Sequence, residues 1–106
     1  EGLPNYIVNN LKIEYNLDNK TVGILGMAFK NDVDDIRDSL SYKLRKILIF
    51  NGANVICCDA FVNDPEFETQ TNLINKSDII IIGVPHSAYK GISTKGKILI
   101  DIWNIT

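Results

Sequence analysis

Hydrophobic and polar positions follow two kinds of pattern along the chain, one with helical spacing and one made of continuous apolar runs. Residues 4–16 repeat apolar side chains at Ile7, Leu11 and Tyr15, a spacing of four that places them on one helix face. A second pattern with helical spacing covers residues 38–50 and is followed by an Asn-Gly pair that is typical of a helix end. The sequence predicts a helix in each segment.

Short segments rich in β-branched residues separate these helical patterns and predict four strands, over residues 21–25, 54–58, 78–84 and 97–101. The first, third and fourth are continuous apolar runs, which are typical of strands covered on both faces of a parallel sheet. Between the second and third strands, an Asp-Pro-Glu start predicts a further helix over residues 64–75.

This order of elements predicts the fold class α/β: a doubly wound, mostly parallel, Rossmann-like sheet with helices on both faces, preceded by one N-terminal helix. In such sheets, ligands bind outside the carboxyl ends of the strands. The regions in which to seek a site are therefore residues 26–38, 59–64, 85–93 and the tail after Asp101.

Composition narrows the classes of function. The 106 residues suit one domain, and 11 basic against 13 acidic residues give a net charge of -2, which disfavours nucleic acid as a partner. No apolar run approaches the roughly 20 residues that span a membrane, so no membrane association is expected. The first residues lack the pattern of a secretory signal, and we expect a cytoplasmic protein.

Cysteine and histidine usage offers no obvious metal or nucleophile site. Cys57 and Cys58 are neighbours in a predicted strand, so their side chains point to opposite faces and a disulfide between them is not expected. We interpret both as small apolar core residues. With a single histidine, no familiar zinc ligand set can be assembled, so no metal site is predicted.

Three other side chains follow the third and fourth predicted strands. We interpret His86 as a loop-tip residue that caps Ser87 or the next turn, with a general base as the alternative. Tyr89 is expected to be the apolar anchor of its loop. Trp103 is expected to close the core, with stacking on a base as the alternative.

The densest candidate chemistry lies between Gly23 and Ser39, in the sequence GILGMAFKNDVDDIRDS. Its glycines do not form the G-x-G-x-x-G turn that lets a backbone approach a dinucleotide pyrophosphate, and no P-loop follows. Lys30 and Arg37 lie where cations can meet a phosphate-bearing ligand. From composition alone, the favoured interpretation is that both are solvated partners of the neighbouring aspartates.

The stretch Gly26–Ser39 resembles, without a gap, the signature G-x-A-F-K-x-x-x-D-D-x-R-x-S of the C-terminal domain of the UDP-glucose/GDP-mannose dehydrogenase family. The remaining chain is similar to that domain in the order of its turns and strand ends. Two departures are visible. Leu40 replaces a proline that many members have, and residues 102–104 lack an arginine that many members carry after the position of Asp101.

The resemblance implies a division of the chain and a set of binding residues. Residues 1–17 would be the end of a central connecting helix, and residues 18–106 the nucleotide-sugar-binding domain. Phe29 and Lys30 match family residues that bind the substrate, and Arg37 matches one that contacts NAD across the domain cleft. No catalytic residue is expected in this chain, because the nucleophilic cysteine of the family has no counterpart here.

For the whole enzyme, the resemblance implies an NAD-dependent oxidation at C6 of a UDP- or GDP-linked hexose to the uronic acid, as used in polysaccharide biosynthesis. NAD would be bound mainly by a separate N-terminal domain of a homodimer, and this chain alone would be inactive. UDP-glucose, UDP-N-acetylmannosamine, UDP-N-acetylglucosamine and GDP-mannose remain open as substrates, with a preference for UDP-linked sugars. The alternatives are a stand-alone flavodoxin-like ligand- or protein-binding module and a phospho-receiver domain; the latter lacks an aspartate after the third strand.

Overall fold

The computed structural model describes residues 3–28, 32, 39–94, 96–101 and 103. In this part of the chain the elements are, in order, α1 (Leu3–Glu14), β1 (Thr21–Leu25), α2 (Leu40–Phe50), β2 (Asn54–Cys58), α3 (Gln70–Lys76), β3 (Ile79–Ile82), a 3-10 turn (Ser87–Tyr89) and β4 (Ile98–Ile100).

Within the described ranges, the strands form one four-stranded sheet in the order β2-β1-β3-β4, with every neighbouring pair parallel. β2 lies on one side of β1, and the chain then crosses to the other side of β1 to form β3. Leu44 and Leu48 of α2 belong to one core cluster, and Leu73 of α3 belongs to the other. The predicted doubly wound α/β fold is therefore confirmed, and the crevice between β1 and β3 is its topological switch point.

The run of isoleucines in β3 supplies both layers of the core. Ile79 and Ile81 pack into the layer that contains α1 and α2, whereas Ile80 and Ile82 pack into the layer that contains α3. All four side chains are fully buried. A strand with helices on both faces has no solvated side, which is why its sequence shows no alternation with polar residues.

The two cysteines in β2 divide between the same two layers. Cys57 packs beside α2, and Cys58 packs in the α3 layer. Both thiols are buried and free, which confirms their interpretation as core residues. Burial raises the pKa of Cys57 to about 11 and also raises the pKa of Cys58, so neither thiol is an activated nucleophile.

Helix α1 lies outside the repeating β-α-β units but shares their core. Ile7, Val8 and Leu11 are buried in the layer that α2 also fills. The opposite face of α1 leaves Tyr6 and Ile13 exposed. None of the helices in the described ranges has the length and apolar composition needed to cross a membrane.

The predicted start of α3 is wrong by five residues, because the N-cap is Thr69 and not Asp64. The Asp64 carboxylate accepts the main-chain N–H of Glu66 at 2.9 Å, which closes a turn in place of a helix. The N–H of Glu68 then donates to the carbonyl of Cys57 at 2.8 Å. This bond keeps the segment beside the edge strand β2, and the helix forms only after it.

Glycine at position 26 allows the ends of β1 and β3 to approach each other. Gly26 has a φ of +99°, and a Cβ at that position would lie 2.7 Å from both the Cβ and the main-chain nitrogen of Val84. Its N–H donates to the carbonyl of Cys58 at 2.8 Å. A side chain here would therefore separate two neighbouring strand ends and also strain the backbone.

We expect Gly26→Ala to lower the free energy of unfolding by about 1–3 kcal/mol more than Gly91→Ala. Gly91 is the control because it also has a positive φ, +68°, while no atom lies within 4 Å of its Cβ position. Urea denaturation followed by circular dichroism measures both values. Equal losses would show that the contact with Val84 contributes nothing.

Candidate functional site

The loops that follow β1, β2 and β3 meet at the carboxyl edge of the sheet around one buried carboxylate. Asp59 comes directly after β2, and its side chain has no exposed surface. Its Oδ2 accepts the main-chain N–H of Met27 at 2.6 Å and that of Ala28 at 3.0 Å. The same oxygen lies 2.9 Å from Nε2 of His86, which follows β3. One oxygen thus joins three strand ends.

The other oxygen of Asp59 fixes its own loop. Oδ1 accepts the N–H of Phe61 at 2.7 Å and that of Val62 at 2.8 Å. Burial by itself raises the pKa of Asp59, but the hydrogen bonds from Phe61, Val62, Met27 and His86 outweigh burial and hold the pKa below its usual value. The carboxylate is therefore ionised at neutral pH.

His86 joins this carboxylate to the segment that follows β1. Its Nδ1 accepts the main-chain N–H of Asp32 at 2.7 Å, so Nδ1 is unprotonated and Nε2 carries the proton donated to Asp59. The imidazole is fully buried, with the ring of Phe61 at 4.9 Å and the ring of Tyr89 at 5.4 Å between centroids. His86 is thus a neutral bridge between two loops.

The interpretation of His86 as a loop-tip cap is wrong. Its side chain makes no capping hydrogen bond to the 3-10 turn that follows. The carboxylate of Asp32 takes that place and accepts the N–H of Ser87 at 2.9 Å and its hydroxyl at 3.1 Å. The imidazole lies instead against the buried carboxylate of Asp59, because an ionised carboxylate is a stronger hydrogen-bond acceptor than the neutral groups of a turn.

The β1–α2 connection, residues 26–39, is also held at its far end. Ser39 is the N-cap of α2, and its hydroxyl donates to the carbonyl of Ala28 at 3.3 Å while accepting the N–H of Ser41 at 3.1 Å. The hydroxyl of Ser41 donates to the carbonyl of Gly26. The connection is therefore bonded at its start, at residue 32 and at its end.

The residues that the sequence assigns to ligand binding, Phe29, Lys30 and Arg37, lie outside the described residues. Ala28 and Asp32, the described residues on either side of Phe29 and Lys30, are bonded to Asp59 and His86. Arg37 falls between Asp32 and Ser39 in the sequence. Sequence reasoning missed this pair as a unit. The available signal was position, because one residue follows β2 and the other follows β3 at the same edge of a parallel sheet.

Two aromatic expectations have opposite outcomes. Tyr89 is fully buried and its hydroxyl accepts the N–H of Ala60 at 3.0 Å, which confirms it as the apolar anchor of its loop. Burial raises the pKa of Tyr89. Trp103 is 42% exposed, so the expectation that it closes the core is wrong.

The end of β1 does not fit the pyrophosphate of a dinucleotide. In a Rossmann turn, main-chain N–H groups at this position are offered to the phosphates. Here the N–H groups of Met27 and Ala28 are both bonded to the carboxylate of Asp59, which repels an incoming phosphate. Across the described ranges, no three His, Cys, Asp or Glu side chains form a set that could hold a metal ion.

We expect Asp59→Asn to destabilise the domain in a manner that depends on pH. Because the folded-state pKa of Asp59 lies below the unfolded value of about 4, the carboxylate stabilises the fold above that pH and loses this effect as the pH falls through the folded-state pKa. The variant should be less stable by about 1–3 kcal/mol at pH 7, since a buried donor loses its partner. Urea denaturation from pH 7 to pH 3 should show the difference shrinking.

The matched control is Glu66→Gln, which removes an exposed carboxylate from the same loop. A difference between wild type and Asp59→Asn that stays constant over the whole pH range would contradict the ionised state assigned to Asp59.

Comparison with known proteins gives one family and a consistent set of relatives. Residues 23–106 match the UDP-glucose/GDP-mannose dehydrogenase family, UDP binding domain. A UDP-N-acetyl-D-mannosamine dehydrogenase of Methanocaldococcus jannaschii is 29% identical over 117 residues, covering 99% of this chain and 27% of that protein. A UDP-glucose 6-dehydrogenase of Haloferax volcanii is 39% identical over 59 residues, covering 56% of this chain and 14% of that protein.

Solved structures agree with this match. A UDP-glucose dehydrogenase from Pyrobaculum islandicum superposes with a TM-score of 0.77 at 28% identity, over 92% of this chain and 25% of that one. The UDP-N-acetyl-mannosamine dehydrogenase Cap5O from Staphylococcus aureus superposes with a TM-score of 0.85 over 99% of this chain and 28% of that one, and at 24% identity it supports the fold alone. The chain thus spans about a quarter of the relatives' length.

Proposed function

The chain belongs to the UDP-glucose/GDP-mannose dehydrogenase family, and on that premise we propose that it is the nucleotide-sugar-binding domain of a longer NAD-dependent dehydrogenase. The enzyme would oxidise C6 of a UDP-linked hexose to the carboxylate, in the cytoplasm and as a homodimer. One observation supports the proposal: the β1–α2 connection contains the family signature, and hydrogen bonds hold it at the switch-point edge of the sheet.

The proposed ligand contacts come from this connection. Lys30 would place an ammonium against the diphosphate of the substrate or a developing oxyanion, with Phe29 beside it lining the pocket. Arg37 would reach the pyrophosphate of NAD across a domain cleft, where a guanidinium can donate two parallel hydrogen bonds.

The oxidation itself is proposed to take place on groups supplied by the rest of the longer protein. Cys57 and Cys58 are buried thiols with raised pKa values and do not supply a nucleophile. The amides of Met27 and Ala28 are bonded to Asp59 and do not supply a dinucleotide site. NAD, which accepts the hydride, would therefore be bound mainly by another domain.

UDP-N-acetylmannosamine is the substrate that we propose first. The relatives that match nearly the whole of this chain include UDP-N-acetyl-D-mannosamine dehydrogenases of three archaeal species, at 27–29% identity. UDP-glucose is the second candidate, because a relative that is 39% identical over a shorter stretch of 59 residues is a UDP-glucose 6-dehydrogenase. Both substrates share the UDP group, which is the part that this domain would bind.

We expect this domain by itself to form no NADH from any UDP-sugar, while the longer protein forms NADH from UDP-N-acetylmannosamine or UDP-glucose. The reason is that the domain lacks both a nucleophile and a dinucleotide site in its described residues. Absorbance at the NADH band, recorded for both proteins with a panel of UDP- and GDP-sugars, checks the result. NADH formation by the isolated domain would contradict the proposal that the nucleophile and the NAD site belong to the rest of the longer protein.

In the longer protein, we expect Lys30→Ala to lower kcat/KM for the UDP-sugar by about 100-fold or more, because one preorganised cation is removed from the developing negative charge. Lys46→Ala is the matched control, since Lys46 lies exposed on α2. Steady-state kinetics at fixed NAD measure both variants. Similar losses in the two variants would contradict the assignment of Lys30.

A further inference from the structure

We propose that Asp59 and His86 are positioning residues for the nucleotide-sugar site: together they hold the main chain at Met27, Ala28 and Asp32, on either side of Lys30 in the sequence. The proposal rests on the function proposed above and deepens it. It assigns a role to two buried side chains that lie outside the family signature Gly26–Ser39 and are 27 residues apart in the chain.

The first argument is where the hydrogen bonds meet the connection. Asp59 holds the main chain at Met27 and Ala28, and His86 holds it at Asp32. Lys30 is the middle one of the three residues between these two attachment points. Ala28 and Asp32 are only four residues apart in the chain, and consecutive Cα atoms are 3.8 Å apart, so the pair holds the main chain close to Lys30 on both sides.

The second argument is that the pair works in a single protonation arrangement. The carboxylate of Asp59 accepts five donors and none of its surface is exposed. The imidazole of His86 donates from Nε2 and accepts at Nδ1. A proton on Nδ1 would oppose the N–H of Asp32, so the bond to the connection requires the neutral ring.

The third argument separates positioning from catalysis. A general base must come within hydrogen-bond reach of the proton that it removes. Both nitrogens of His86 already have partners, its side chain is fully buried, and the rings of Phe61 and Tyr89 lie against it. His86 therefore acts on a substrate only through the main chain that it holds.

The residue at position 32 shows that the connection is shaped to meet this pair. Asp32 has a φ of +59°, a conformation that costs a non-glycine residue energy and is found mostly in Asn, Asp and Gly. Its N–H donates to His86 while its carboxylate accepts from Ser87. Main chain and side chain at one position thus bond to two consecutive residues of the loop after β3.

The test uses the longer protein with four variants. Asp59→Asn changes the carboxylate, His86→Phe removes both imidazole bonds, and His86→Asn restores an acceptor close to the position of Nδ1. Ile80→Val is the control, because it removes only a buried methyl group, at a cost of about 0.5–1.5 kcal/mol, and none of the hydrogen bonds of Asp59 and His86. Hydrogen–deuterium exchange and steady-state kinetics are measured on each.

We expect amides in residues 26–39 to exchange about tenfold faster in Asp59→Asn and His86→Phe, with intermediate exchange in His86→Asn, while amides of α3 are unchanged. KM for the UDP-sugar should rise about tenfold or more in the first two variants, because a displacement near 1 Å at a binding group has effects of this size. The pH dependence of kcat/KM should keep the wild-type limbs. Ile80→Val should match wild type in all three measurements.

Unchanged exchange in residues 26–39 would overturn the positioning role, and so would a wild-type KM in His86→Phe. Loss of one limb of the pH profile in His86→Phe would also overturn it, because a general base would then be missing. The exchange result does not depend on turnover. A wild-type enzyme that is inactive on every UDP-sugar would therefore refute the proposed function, while exchange would still decide the role of the pair.

A chemical rescue experiment provides a further test in case one of these variants fails to fold. Asp59→Ala leaves four main-chain N–H groups and the imidazole around the volume of the missing carboxylate. Formate should lower the KM of Asp59→Ala toward the wild-type value, whereas chloride at the same ionic strength should not. No rescue in a folded Asp59→Ala protein would contradict the proposal.

Discussion

An ionised carboxylate can be buried only where enough hydrogen-bond donors converge on it, and the ends of β1, β2 and β3 supply those donors to Asp59. Its hydrogen bonds define the candidate site, because they determine where the chain goes after each of the three strands. Removing one donor would leave the buried charge of Asp59 with too few hydrogen bonds. The arrangement is therefore expected to respond as a unit, and not as five independent bonds.

The doubly wound sheet is what brings these donors together. Asp59 and His86 belong to loops after neighbouring strands on either side of β1, so that the residues following β1 lie between them. The close approach of Gly26 to Val84 completes the same edge. A dinucleotide-binding turn would use its amides for an outside phosphate. In this protein the carboxylate of Asp59 accepts the amides of Met27 and Ala28, so neither is offered to a phosphate.

Most of the fold could be predicted from the sequence, since continuous apolar runs and helical spacing are local signals. β1 and β2 have the bounds predicted for them, whereas β3 and β4 are shorter than predicted. The start of α3 could not be predicted, because it depends on the bond from Glu68 to the carbonyl of Cys57, a contact between the loop and an edge strand. Local propensity at Asp64 carries no information about that contact.

The candidate site was predictable only in part. Lys30 and Arg37 are found through the resemblance, and their assignment remains a proposal. The pairing of Asp59 with His86 depends on strand order, which a hydrophobic pattern does not reveal. The sequence likewise predicts His86 at a loop tip and Trp103 in the core, although the first is fully buried and the second is 42% exposed.

The adjacent thiols of β2 give this domain an internal reporter of how it opens. Cys57 is covered by the α1–α2 layer and Cys58 by the α3 layer, and burial suppresses the thiolate form of both. The rate at which an alkylating reagent modifies Cys57 therefore reports on the cover that the first layer provides, and the rate at Cys58 on the cover that the second provides. The order in which the two adducts accumulate distinguishes which side of the molecule loosens first.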